Sequence, residues 1–100
     1  MPAYVLLDIE VIDPVQYETY KKLAPATVAS YGGRYLARGG KAETKEGDWK
    51  PNRLVILEFE SFDKAKDWME SPEYSAIKHL RQQSTHSKAV ILEGLQVSPE

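Results

Sequence analysis

Residues 3–14 read Ala-Tyr-Val-Leu-Leu-Asp-Ile-Glu-Val-Ile-Asp-Pro. Val5, Leu7, Ile9 and Val11 alternate with Leu6, Asp8, Glu10 and Ile12. That period of two predicts a strand with one apolar face and one mixed face. Asp13-Pro14 then signals a helix start, because Asp caps a helix N-terminus and Pro fits its first position. A strand followed at once by a helix sets the pattern for the rest of the chain.

Working outward, Tyr17, Tyr20, Ala24, Thr27 or Val28, and Tyr31 recur at helical spacing. Pro25 lies inside this stripe, lacks a backbone donor and crowds the preceding turn, so a kink or break is expected near Ala24. Gly32-Gly33 offers the left-handed conformation that ends helices. Arg34 to Arg38 reads as a short strand closed by Gly39-Gly40, and 41–52 as a long charged loop. Arg53 to Glu60 is the clearest strand, with Val55, Leu57 and Phe59 on one face and Leu54, Ile56, Glu58 and Glu60 on the other. Ser61 and Ser71-Pro72 predict two successive helices, and Lys88 to Val97 the last strand. The order strand, helix, strand, strand, helix pair, strand predicts an α+β protein. It is the ferredoxin-like βαββαβ arrangement, a four-stranded antiparallel sheet with helices on one face.

Composition sets the limits. One hundred residues support a single domain, 1–100. Hydrophobic residues at 42% and charged residues at 28% indicate a folded chain rather than a disordered one. A formal charge of −2 gives no basic field to gather phosphates, so no nucleic-acid partner is expected. The absence of cysteine excludes a disulfide scaffold, a thiol nucleophile and a thiolate metal site. The N-terminus lacks a basic stretch and no apolar run can cross a bilayer, so a soluble, cytoplasmic protein without a membrane partner is expected.

The uncovered face of such a sheet would hold Tyr4, Leu6, Asp8, Glu10, Ile12, Leu54, Ile56 and Glu58. It is too apolar for water, so a homodimer is expected, sheet against sheet, closing a barrel. Asp13-Pro14 with Tyr17 and Tyr20, the run Tyr31 to Gly40, Glu46-Gly47, Arg53 to Phe59, Ser71-Pro72-Glu73-Tyr74, Arg81 and Glu93-Gly94 together give the chain a recognisable pattern. It resembles the domain-of-unknown-function family 1330 (DUF1330), within the dimeric α/β barrel superfamily. The resemblance runs over nearly the whole chain. It implies the ferredoxin-like fold and a dimer, and no established reaction.

No phosphate loop, zinc-protease helix or nucleophile elbow is present. His79 and His86 could share a helix face only if that helix reached so far, and no metal is expected. Haem lacks a ligand set, and no cofactor is expected. Asp8, Glu58 and Glu93 stand on apolar strands, with Arg38 as their natural partner. Trp49, in the charged loop, is expected to pack on a partner subunit.

The tyrosines carry more information. Six in 100 residues exceeds ordinary use, and a buried hydroxyl demands a partner that Leu or Phe would not. With Arg38 and Arg81 they could line a pocket between helices and sheet for a small aromatic or carboxylate-bearing molecule. The candidate site is therefore Tyr17, Arg38, Glu58, Tyr74 and Arg81. Arg38 or Arg81 would anchor an anion, Tyr17 or Tyr74 would donate a proton, and Glu58 would act as base. The superfamily resemblance suggests a cofactor-independent enzyme, monooxygenase- or isomerase-like, on a small organic molecule. The alternatives are a non-enzymatic ligand-binding or regulatory module, and a purely structural dimer.

Overall fold

The computed structural model describes residues 1–96. Its elements are β1 (Ala3–Val11), α1 (Pro14–Ser30), β2 (Arg34–Arg38), β3 (Arg53–Phe59), α2 (Phe62–Met69), α3 (Pro72–Ser84) and β4 (Thr85–Glu93). The strands form one antiparallel sheet in the order β2-β3-β1-β4, the ferredoxin-like topology.

Each helix starts where a short polar side chain takes up an orphan backbone donor. Asp13 accepts from the Gln16 N–H at 3.2 Å, Ser61 from Lys64 at 3.1 Å and Ser71 from Tyr74 at 3.0 Å. At the end of α1, Gly32 adopts φ +73° while the N–H groups of Gly32 and Gly33 close on Ala29 and Val28. Gly33 must also lack a side chain, because a Cβ there would lie 2.5 Å from the Phe59 ring.

The alternation in β1 is fully used. Ala3, Val5, Leu7 and Ile9 are buried under the helices, beside Val55, Leu57 and Phe59 of β3. Trp68 of α2 sits between the Phe59 ring, 5.5 Å away, and that of Tyr74, 4.1 Å away. This aromatic stack ties α2 and α3 to the sheet.

Three expectations need correcting. Helix α1 runs unbroken through Pro25. Strand β4 begins at Thr85, directly after α3, and ends at Glu93; Val97 lies outside the described residues. The helix therefore stops before His86, and the two histidines occupy different elements. Strand β2 also carries a bulge: Tyr35 pairs with Leu57 and Ala37 with Ile56, leaving Leu36 unpaired. The extra residue flips the phase of the remainder of the strand.

Candidate functional site

The bulge decides where the two arginines of β2 go. Arg34 stands opposite Glu58 on the uncovered face, and its Nε lies 2.7 Å from the Glu58 carboxylate. Arg38 stands opposite Val55, on the helix-covered face. Among the described residues no carboxylate pairs with it. Its guanidinium lies 4.9 Å from the Tyr35 ring centroid, and Nη2 donates to the Lys21 carbonyl at 2.8 Å. That carbonyl is the one Pro25 leaves without its i+4 donor. Arg38 thus satisfies the acceptor that the proline frees, so the pairing of Arg38 with the strand carboxylates is overturned.

Behind Arg38, between α1 and the sheet, lies a cavity of about 20 Å³, room for about one water. Tyr17, Tyr20, Lys21, Tyr35, Arg38 and Arg53 bring polar groups to it. The Tyr17 hydroxyl accepts from Arg53 Nε at 3.2 Å. Burial raises the pKa of the Tyr35 hydroxyl, and the Arg38 charge partly offsets that rise.

From the cavity a chain of hydrogen bonds runs into the protein. The Tyr20 and Tyr74 hydroxyls are 2.7 Å apart, and Arg81 Nε donates to Tyr74 Oη at 3.1 Å. Tyr74 is fully buried, and with Arg81 as donor its proton has Tyr20 as acceptor. The reverse order would strand that proton. Tyr20, which lines the cavity, then keeps its own proton for whatever lies there. Burial above all holds the Tyr20 pKa far above the ordinary tyrosine value, so its hydroxyl stays protonated. Burial opposes the charge on Arg81, while the facing Tyr74 and Tyr20 oxygens favour it; the guanidinium stays charged. The series Arg81, Tyr74, Tyr20 thus carries a polarised donor to the cavity wall.

Of the five sequence candidates, Tyr17 and Arg38 line the cavity, and Tyr74 and Arg81 stand behind it, joined to it by Tyr20. Glu58 is on the opposite side of the sheet with Arg34. Tyr20, Tyr35 and Arg53 complete the cluster. Tyr20 was visible in the tyrosine stripe of α1; Arg53 and Tyr35 needed the register.

The uncovered face is built differently. Leu6, Leu54, Ile56 and Val90 floor a broad apolar hollow of about 840 Å³ beneath the loop that carries Trp49. Asp8 holds that loop: its carboxylate accepts from the Trp49 indole at 2.8 Å and from the Asn52 backbone at 2.9 Å. Trp49 remains 59% exposed. Glu93 is exposed at the end of β4. Among the described residues no three His, Asp or Glu side chains gather as a metal site, and no helix is long and apolar enough to cross a membrane.

Comparison with known proteins agrees with this fold. A family model described as domain of unknown function (DUF1330) matches residues 2–95. No curated protein matches the sequence. Among solved structures, a protein of unknown function from Rhodopseudomonas palustris superposes with a TM-score of 0.74 at 16% identity, over 96% of this chain and 84% of that one. A dimeric protein of unknown function and ferredoxin-like fold from Bacteroides fragilis gives 0.61 at 14% identity, over 93% and 96%. The cofactor-independent oxygenase SnoaB from Streptomyces nogalater gives 0.57 at 17% identity, over 99% and 98%. At such identities the likeness is one of fold.

Proposed function

The chain belongs to the DUF1330 family, and from that premise we propose that it is a homodimeric α/β barrel protein that binds a small organic anion between helices and sheet. Its activity is that of a cofactor-independent enzyme, of the monooxygenase or isomerase kind. The observation that carries this reading is the Arg81–Tyr74–Tyr20 donor series ending at a cavity that Arg38 and Arg53 flank. A protonated tyrosine backed by a buried cation stabilises a carboxylate, phenolate or enolate oxygen. Arg38 spends one hydrogen bond on a neutral carbonyl at the exposed edge, and a carboxylate would offer it a stronger, bidentate partner. Swinging Arg38 onto a ligand enlarges the cavity where it opens.

The dimer rests on the apolar uncovered face, where Val90 and Leu92 are more than half exposed. The dimeric ferredoxin-like protein of Bacteroides fragilis lends support. A second reading, a non-enzymatic binding or structural dimer, draws on the small volume of about 20 Å³.

Titration with salicylate, an aromatic acid with a phenol, separates the two. The proposal expects saturable shifts of NMR resonances around Tyr17, Tyr20 and Arg38, with affinity falling about tenfold in Arg38→Ala and in Tyr20→Phe. It also expects conversion of an aromatic acid or phenol, without added cofactor, in a panel followed by mass spectrometry and oxygen uptake. Binding without turnover across that panel supports the non-enzymatic module. No saturable binding of any panel member at these residues overturns the site.

A further inference from the structure

We propose that the corner where α3 turns into β4 is a separate binding site for a small oxyanion, built on Arg81. Arg81 is 6% exposed, yet no described carboxylate forms an ion pair with it. Burying a cation without its counter-charge is expensive, and an incoming anion would supply one here.

The guanidinium is fixed on two sides. Nε donates to Tyr74 Oη at 3.1 Å and Nη1 to Ser87 Oγ at 2.5 Å. The main chain of Arg81 is pinned as well, since Thr85 Oγ1 donates to its carbonyl at 2.6 Å. Nη2 makes no further well-aligned hydrogen bond among the described residues, although the Tyr20 oxygen as well as that of Tyr74 lies near the guanidinium. Because no fully buried side-chain nitrogen or oxygen lacks a partner, Nη2 is the atom that solvent reaches. Arg81 itself lines a cleft of about 470 Å³, with Gln82, Thr85, His86 and Ser87. Ser87 Oγ accepts from Arg81 Nη1 and from Thr85 Oγ1, 3.2 Å away, so its own proton is left for an incoming oxygen.

The surroundings favour an anion. Residues 78–88 contain no Asp or Glu, and Arg81 supplies the positive charge at the cleft; Lys88 stands opposite Asp8 on the uncovered face. The acid closest in the ladder is Glu10, opposite His86 on the far face of the sheet, whereas Ser87 is opposite Ile9. A preformed guanidinium edge, a serine hydroxyl and local positive charge are the groups that recognise a phosphate or a carboxylate. The cleft shares no lining residue with the cavity at Tyr20 and Arg38, and Ser87, which the donor series does not use, tests it separately.

The test is an NMR titration of the full chain, with inorganic phosphate in one arm and acetate in the other, at constant ionic strength. Saturable shifts at Gln82, Ser87 and the Arg81 side chain are expected, with the resonances around Arg38 unmoved. Ser87→Ala should weaken that binding by about tenfold. Arg81→Lys keeps the charge, loses the planar fork, and should weaken it at least as much. Saturation by phosphate alone assigns a phosphate group; saturation by both, or by acetate alone, assigns a carboxylate. Shifts that rise linearly in both arms, or binding indifferent to Ser87→Ala, overturn the site. The serine variant keeps the test decisive if Arg81→Lys fails to fold.

Discussion

Arg34 and Arg38 lie four residues apart on one short strand and face opposite ways. In a regular strand they would share a face. Arg34 forms an exposed ion pair with Glu58; Arg38 reaches over a tyrosine ring to the carbonyl that Pro25 leaves free. The same contrast separates the whole sheet. The helix-covered side is an aromatic core whose tyrosines and arginines satisfy each other. The uncovered side is an apolar floor with a tryptophan loop latched across it by one aspartate. One side is packed within a single chain, and the other leaves apolar side chains such as Val90 and Leu92 exposed.

The largest expected effect lies on the packed side. Trp68→Ala should cost about 3–5 kcal/mol of stability in urea unfolding, because it empties the centre of the Phe59–Trp68–Tyr74 stack. A cost under about 1 kcal/mol would mean that this core is far looser than its packing implies.

Next comes the hydroxyl series. Tyr74→Phe strips Arg81 of its acceptor and should cost about 1–3 kcal/mol. Tyr20→Phe leaves the Arg81–Tyr74 bond in place and should cost about 1 kcal/mol. Equal losses would mean that the Arg81–Tyr74 bond adds nothing to stability. Tyr20 adds a pH signature. Its pKa is raised in the folded chain, by burial first and then by Tyr74. The unfolded chain therefore releases that proton more readily above about pH 10. The stability tied to Tyr20 is whole below that value and is lost as pH climbs beyond it. Urea midpoints at about pH 9 and about pH 11 should differ less in Tyr20→Phe than in the parent.

The smallest effect on the fold belongs to the uncovered side. Val90 is 58% exposed, so Val90→Asp should change protomer stability by no more than about 0.5 kcal/mol. It should nevertheless halve the mass seen by light scattering if that face joins two copies. An unchanged dimer would place the interface elsewhere, and a monomeric parent would remove it.

Much of this was legible in the chain. The strand alternation of β1 and β3, the caps at Asp13, Ser61 and Ser71, and the tyrosine stripe of α1 are local signals, and each formed where its residues pointed. Others were not local. The bulge at Leu36 has no signature in Arg34 to Arg38, because it exists only against the register of β3. Pro25 reads as a helix breaker until Arg38, from another element, answers the freed carbonyl. The expected last strand began only at Lys88, since the extended conformation of Thr85 to Ser87 depends on pairing with β1.

The sequence by itself determined the order of elements, the inward phase of the long strands and the need to satisfy several buried hydroxyls. Those come from periodicity and from the cost of hiding an unpaired polar group. Which charge meets which hydroxyl was decided by tertiary structure alone. One unpaired residue in β2 sent Arg38 and Glu58 to opposite sides of a sheet, and the docking of α3 beside β4 set Arg81 between Tyr74 and Ser87. Hydrogen bonds act over about 3 Å, a scale fixed by register and packing and invisible to residue spacing.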